Sequence, residues 1–349
     1  MSYKYFNTKD IIISDINFYA KNNIKYNPLH IAYGIDKNFL FGCGVSIASI
    51  AIHNKSNNIF YHIFIDSLTQ DEKAKIADLS NQFNINISIH FVKCEKIKTF
   101  LTTQNWSYAM YLRFIIGDYF IDKASRVLYL DADIICQGDI SELSTIDFED
   151  KIVSAVLERD IKWWKFIANS LSCQSLSDGY FNSGFLLIDT NAWYKESVTK
   201  KAVSMLEDHS FIKKLTCMDQ DVLNLILLNK VKYINSKYNT QLSINDKLKD
   251  NFSNPITSNT IFIHYIGPTK PWHSWAQYKI SAPFINAKNN SPWRKEDLLT
   301  PSNAYYNRYC AKHNFNQGYF FNGIKYYLNY FLLKKITKKN FNINFDKKV

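Results

Sequence analysis

Between residues 29 and 135 the chain alternates short apolar runs with helical stretches, and this alternation narrows the fold more than any other feature. Residues 29–33 read as a first strand closed by Gly34, followed by an apolar helix of small residues over 39–53. Residues 59–65 form a second strand and a charged helical stretch follows to about residue 83. Residues 85–91 then alternate with period two, as a strand with one wet face should. Tyr108, Tyr111, Leu112, Ile115, Ile116 and Tyr119 recur at helical spacing and leave Arg113 off the apolar stripe. Residues 127–130 close the series as another buried strand. Strand, helix, strand, helix, strand is the pattern of an α/β fold on a parallel sheet. Further apolar segments at 152–157, 185–188 and 261–263, with a helix-like stretch at 221–228 before the last, extend it.

The run Val127-Leu128-Tyr129-Leu130 ends in Asp131-Ala132-Asp133, with both carboxylates where strand passes into loop. In extended backbone, side chains two apart share a face, so the pair can grip one hard cation. A nucleotide diphosphate requires such a cation to neutralise its pyrophosphate. An Asp-x-Asp arises by chance about once in a chain this long, so context must decide. In parallel α/β sheets ligands bind beyond the carboxyl ends of the strands, where these carboxylates lie. His264 ends a second strand and opens the loop His264-Tyr265-Ile266-Gly267-Pro268-Thr269-Lys270-Pro271-Trp272, which supplies a glycine for close approach and a lysine for phosphate. Asp131, Asp133 and His264 therefore form a candidate set for Mn²⁺ or Mg²⁺, the imidazole favouring Mn²⁺. Tyr180-Phe181-Asn182-Ser183-Gly184 and Met218-Asp219-Gln220-Asp221 group amides and carboxylates suited to sugar hydroxyls, although Asp219 alone reads equally well as a helix N-cap. Gly42-Cys43-Gly44 lacks the third glycine of a dinucleotide fingerprint, because Ile47 stands there, and reads as helix packing.

A net charge of +11 asks for an anionic partner: nucleic acid, an anionic membrane or a phosphorylated substrate. Nothing resembles a nucleic-acid module. The six cysteines are scattered with no Cys-x-x-Cys pair, which argues for isolated thiols in a reducing compartment and against a zinc site or disulfide framework. The amino terminus lacks the apolar core of a signal peptide, and no stretch reaches the roughly 18 apolar residues of a spanning helix. The expected location is the cytoplasm, in solution or on a membrane surface. Beyond about residue 283 the character changes. Phe320, Ile324, Tyr327, Leu328 and Phe331 recur at helical spacing and Lys334, Lys335, Lys338 and Lys339 follow. This is the pattern of an interfacial helix on an anionic leaflet, or of a docked helix with a solvated basic end.

Taken together, residues 31–38, 128–133, 180–184, 219–221 and 264–272 resemble the retaining α-glycosyltransferases of family 8, and more narrowly the bacterial lipopolysaccharide outer-core glucosyl- and galactosyltransferases. The region from Trp272 to Lys335 also resembles that subgroup's carboxyl-terminal extension. The resemblance implies a GT-A fold, a UDP-glucose or UDP-galactose donor, and Mn²⁺ or Mg²⁺ held by Asp131, Asp133 and His264. It places Gly34, Asp36 and Asn38 at the uridine and ribose, with Phe39 where the family often has Tyr. Stacking survives that change, but a hydroxyl is lost. Ala132 joins the nucleotide-binding set, Arg113 and Asp219 hold the donor sugar, Gly267 and Lys270 bind the diphosphate, and Asn182 and Gln220 stand near the reacting carbon. The implied acceptor is the lipopolysaccharide core, met at the cytoplasmic face of the inner membrane.

The expected division is an arm over residues 1–27, a catalytic domain over 28–280 and a helical, membrane-associating extension over 281–349. Two other classes fit parts of the pattern. A haloacid-dehalogenase-like phosphatase also ends an apolar strand in Asp-x-Asp, but there the motif normally opens the domain, whereas here about 130 residues of α/β sequence precede it. A non-enzymatic basic membrane-binding protein fits the charge and the aromatics.

Overall fold

The computed structural model describes residues 5–21, 27–103 and 106–346, with side chains as far as Ile336. Its centre is an eight-stranded sheet in the order β1-β4-β3-β2-β5-β8-β7-β9. The strands are β1 (Ile12–Phe18), β2 (Leu29–Gly34), β3 (Ile59–Ile65), β4 (Asn86–Val92), β5 (Arg126–Leu130), β7 (Val153–Leu157), β8 (Phe181–Asp189) and β9 (Val231–Tyr233). A small second sheet joins β10 (Thr240–Gln241), β11 (Phe262–His264) and β6 (Ile134–Cys136).

β2 to β5 are mutually parallel, as the strand–helix alternation implies. Both faces of these strands are covered, which is why they read as nearly unbroken apolar runs. On one face Ile31, Ile63, Ile89 and Leu128 meet the helix Leu40–His53. On the other, Ala32, Phe64, Tyr129 and Leu186 meet the helix Leu112–Tyr119. Each fully buried aliphatic side chain contributes roughly 1.5–3 kcal/mol. Gly42 and Gly44 serve packing, as expected, since a Cβ at either would run into Trp272 or Trp293. Thr69 and Glu72 form a capping box that starts the helix Gln70–Phe83, and left-handed Asn84 ends it.

The sheet departs from the expected all-parallel one at two places. β8 lies antiparallel between β5 and β7, and β1 pairs antiparallel with β4 at the edge. Within the segment expected to be an arm, Ile12–Phe18 is thus an edge strand; residues 1–4 and 22–26 lie outside the described residues. β1 also removes the wet face expected of β4, all of whose residues are buried. Asn17 accepts from the Ser88 hydroxyl at 2.5 Å and the Asn86 side chain accepts from the Ala20 N–H at 2.9 Å. His30, His62 and His90 lie on adjacent strands and hydrogen-bond in a row at 2.9 and 3.0 Å, ending on Asp15 of β1 at 2.7 Å.

The helices Ala282–Asn289, Ala304–Asn316 and Phe320–Asp346 form the carboxyl-terminal part. It is tied back to the start of the helix Leu40–His53 by Trp272, which packs on Phe39 and Phe284. Phe315 of the helix Ala304–Asn316 covers Gly323 and Tyr327 of the last helix, in which Phe320, Phe321, Ile324, Leu328, Phe331 and Leu332 remain exposed. Among the described residues no helix is long and apolar enough to cross a membrane. The Lys338 and Lys339 side chains lie outside the described residues.

Candidate active site

Register brings the two carboxylates and the imidazole together. The Asp131 N–H donates to the Gly184 carbonyl at 2.8 Å, which carries β5 alongside β8 to its last residue. The chain then turns at once into β6, which pairs antiparallel with β11 so that His264 lies opposite Ile134. His264 Nε2 thereby stands 3.1 Å from Asp133 Oδ1 and 3.9 Å from Asp131 Oδ2. One ligand atom from each of the three lies within 4.8 Å of the others.

Three features fit this set to a divalent cation. Asp133 Oδ1 is buried and makes no hydrogen bond. His264 Nδ1 is engaged by Asn239 Oδ1 at 3.0 Å, so the free nitrogen is the one facing the carboxylates. Gly184 leaves room beside them, since a Cβ there would stand 2.4 Å from His264 Cε1 and 2.7 Å from Asp131 Oδ2. Hard oxygen donors with one imidazole suit Mn²⁺ or Mg²⁺.

Arg113 departs most from its expected place. The helical stripe leaves it off the apolar face, yet the entire helix Leu112–Tyr119 is buried and Arg113 is 3% exposed. Its face is polar because it forms the floor of the site. Nη1 pairs with Asp219 at 2.8 Å and donates to the Ser183 carbonyl at 2.8 Å, while Nη2 donates to Asp131 and to the Tyr129 hydroxyl, each at 3.1 Å. Tyr129 in turn donates to Asp131 at 2.7 Å and lies under the guanidinium, 4.6 Å from it. Burial pushes the Asp219 carboxyl up to about 6 against the pull of Arg113. Asp133 moves the other way: Lys270 and His264 outweigh its burial and hold it below the ordinary carboxylate range.

Asp219 is not an N-cap. It sits in the first turn of the helix Met218–Ile226, and Asp221 ties down the preceding loop by accepting from the Thr216 and Cys217 N–H groups at 2.6 and 2.7 Å. Met218 takes a positive φ of 40°, a strained setting for a side-chain-bearing residue, and the helix that follows presents Asp219 and Gln220 inward. Gln220 Oε1 accepts from the Ser183 N–H at 3.0 Å and from Asn182 Nδ2 at 3.3 Å. Asn182 Nδ2 also donates to Glu158 at 3.1 Å.

Lys270 does not project free. Its ammonium pairs with Asp133 and donates to the Tyr265 carbonyl at 2.9 Å, and its N–H donates to His273 Nδ1 at 3.1 Å. Gly267 has a φ of +83° and is exposed, open to a ligand's close approach. At the other lip, Gly34 ends β2 with Leu112 too close for a Cβ, and buried Asp36 caps the turn Lys37–Phe39 by accepting from the Asn38 N–H at 2.8 Å. Asn38 is exposed, Phe39 is half-buried edge-on to Trp272, and Ala132 lies buried with its carbonyl against Gly42.

Ser183 and Tyr129 lie inside motifs already singled out, whereas Asn239, Glu158 and His273 were not legible as site residues. His273 adjoins the 264–272 loop; Asn239 and Glu158 reach the site through pairings that no local pattern encodes.

Comparison with known proteins agrees with this geometry. Residues 30–276 match glycosyl transferase family 8 and residues 278–334 match the glycosyl transferase family 8 C-terminal region. The chain belongs to family 8 of the glycosyltransferases. It is 45% identical over 335 residues to the lipopolysaccharide 1,3-galactosyltransferase of Salmonella typhimurium, covering 96% of this chain and 99% of that one. It is 46% identical over 336 residues to the lipopolysaccharide glucosyltransferase WaaO of Escherichia coli, with the same coverage. Within the family it falls in the lipopolysaccharide outer-core subgroup. The solved structure of the galactosyltransferase LgtC with donor and acceptor sugar analogues superposes with a TM-score of 0.65 at 22% identity, over 75% of this chain and 96% of that one. The fold is thus GT-A-like.

Proposed function

We propose that this glycosyltransferase moves glucose or galactose from a UDP-sugar onto a sugar of the lipopolysaccharide core, through an α-1,3 or α-1,2 linkage and with retention of configuration. The observation that carries the reading is the convergence of Asp131, Asp133 and His264 beside the buried Arg113–Asp219 pair. The two high-identity relatives, one a galactosyltransferase and one a glucosyltransferase, support the substrate class and leave both hexoses in play.

In this reading Asp131, Asp133 and His264 hold Mn²⁺ or Mg²⁺, which when bound supplies charge neutralisation at the diphosphate. Gly34, Asp36, Asn38 and Phe39 line the nucleoside end, with Ala132 at the turn beneath it. Lys270 transfers from Asp133 to a phosphate oxygen, and the Gly267 backbone lets that phosphate approach. Arg113 and Asp219 orient the sugar hydroxyls. The bond from the anomeric carbon to the phosphate oxygen breaks with its electrons passing to UDP, where Lys270 meets the growing negative charge. The acceptor hydroxyl attacks from the face UDP leaves, and its proton passes to a phosphate oxygen. The Gln220 amide, held with Asn182 at Ser183, faces the carbon as positive charge develops. An amide is a poor nucleophile, so front-face substitution is favoured over a covalent intermediate.

The extension over residues 281–349 docks on the cytoplasmic face of the inner membrane. Its support is the exposed face of Phe320, Phe321, Ile324, Leu328 and Phe331 next to exposed Lys334 and Lys335. The test of the function is transfer to truncated core lipopolysaccharide from each UDP-hexose, with the product linkage read by NMR. One new α-hexosyl residue supports the proposal; transfer from neither donor by folded protein overturns it.

A further inference from the structure

Asn239 is 1% exposed, far in sequence from every motif, and spends both ends of its amide inside the site. Its Oδ1 meets His264 Nδ1 at 3.0 Å and its Nδ2 donates to Asn182 Oδ1 at 3.0 Å. The polarity of this chain is fixed from one end. Asn182 Oδ1 also accepts from the Gly184 N–H at 3.1 Å, and a backbone N–H cannot be an acceptor. That atom is therefore oxygen, and Asn239 must turn its NH₂ toward it and its carbonyl toward His264. An amide carbonyl can only accept, so His264 carries a proton on Nδ1, and Nε2, which faces Asp131 and Asp133, is the nitrogen left to ligate a cation. The other end of Asn182 donates to Gln220 and Glu158.

We infer that Asn239 is a positioning residue that sets the tautomer of His264 for cation binding and, through Asn182, fixes the cation in register with Gln220. The two halves of this role separate chemically. A carboxylate at 239 still accepts from His264 Nδ1 but cannot donate to Asn182, so two oxygens face each other and Asn182 loses its anchor. An aliphatic side chain loses both bonds. The inference rests on the reading of Asp131, Asp133 and His264 as cation ligands, and its test separates the two.

Mn²⁺ binding to the full-length protein is titrated by electron paramagnetic resonance without donor or acceptor, and kcat and donor KM are measured separately. Asn239→Leu should weaken Mn²⁺ binding by roughly 10- to 100-fold, the usual effect of losing a partner behind a metal-bound histidine. Asn239→Asp should bind Mn²⁺ within about threefold of wild type yet lose at least about tenfold in kcat with donor KM little changed. A folded Asn239→Leu protein that binds Mn²⁺ like wild type overturns the inference and leaves the cation site standing. Wild-type protein that binds no Mn²⁺ overturns both. Should Asn239→Leu fail to fold, the near-isosteric Asn239→Asp decides alone: unchanged kcat overturns the coupling to Gln220.

Discussion

Arg113 Nη1 lies 2.8 Å from Asp219 Oδ2, an ion pair with both partners buried, in a site where the same guanidinium also reaches Asp131. One planar cation thus links a cation-ligand candidate to a donor-sugar candidate. A lysine supplies the charge but not the fork. Arg113→Lys should lower kcat/KM by roughly 10²-fold or more, in the range of losing a preorganised electrostatic contact. Arg113→Ala, which strands a buried carboxylate, should also cost about 3–5 kcal/mol of stability. Denaturant melts beside donor kinetics check both. An active Arg113→Lys enzyme would remove Arg113 from the donor site.

Gly184 is the spacer between the candidate cation ligands Asp131 and His264. Its absent Cβ is the space into which His264 Cε1 and Asp131 Oδ2 project, so Gly184→Ala must push one of them aside. His264 is buried on Asn239 and half-buried Asp131 is held by Tyr129 and Arg113, so neither has much freedom to move. Mn²⁺ affinity should fall at least about tenfold, as when a ligand's supporting contacts are lost. Calorimetric titration measures it, and unchanged affinity would mean that the ligands do not need this geometry.

The buried histidines set the acid limit of the fold. Burial lowers His30 and His313 to about 4 and His273 to about 3, and lowers His62 and His90 as well. Facing the ladder, Asp15 favours the charged form of His90, while Lys123 opposes it for His62 and His90. A depressed folded-state pKa means that the unfolded chain binds more protons. The stability is complete above the unfolded value of about 6.5 and drains as pH falls toward about 4. Near pH 5.5 a fully buried member such as His62 costs about 1.4 kcal/mol. Asp219, raised to about 6, and Asp221, also raised by burial, work in the opposite sense but are outnumbered by the buried histidines. Melting temperature should therefore drop between pH 7 and 5; a flat profile would contradict the neutral assignment.

Deleting the chain beyond residue 318 removes the exposed aromatic face and should weaken binding to anionic vesicles by at least about tenfold while sparing UDP-sugar binding. Co-sedimentation checks it. Equal binding by full-length and truncated protein would place the membrane contact elsewhere, or nowhere.

Much of this fold was legible because burial on both faces leaves an unbroken apolar imprint, as at residues 59–65, which are β3 to the residue. β1 was not legible: its alternation, Asp15-Ile16-Asn17-Phe18, is short and sits in a polar, Asn- and Lys-rich segment, with Asp15 and Asn17 facing a histidine and a serine. The antiparallel placement of β8 was equally hidden, because a strand's direction is set by the path between strands and not by its own composition. In the site, residues at strand ends declared themselves, whereas the burial of Arg113 was not read from its helical stripe, because a buried guanidinium looks, in sequence, like a solvated one. Asn239 left no trace, since its role arises only where β10 and β11 meet β8.

The central claim is that Asp131, Asp133 and His264 form the cation site of a UDP-hexose transferase. It is tested most directly by UDP release from UDP-glucose and UDP-galactose with truncated core lipopolysaccharide, with and without Mn²⁺, for wild type and Asp131→Asn. The account predicts acceptor-stimulated release from one donor, abolished by chelation, restored by Mn²⁺, and reduced at least about 10²-fold in Asp131→Asn. Release that is indifferent to Mn²⁺ and survives Asp131→Asn would contradict it.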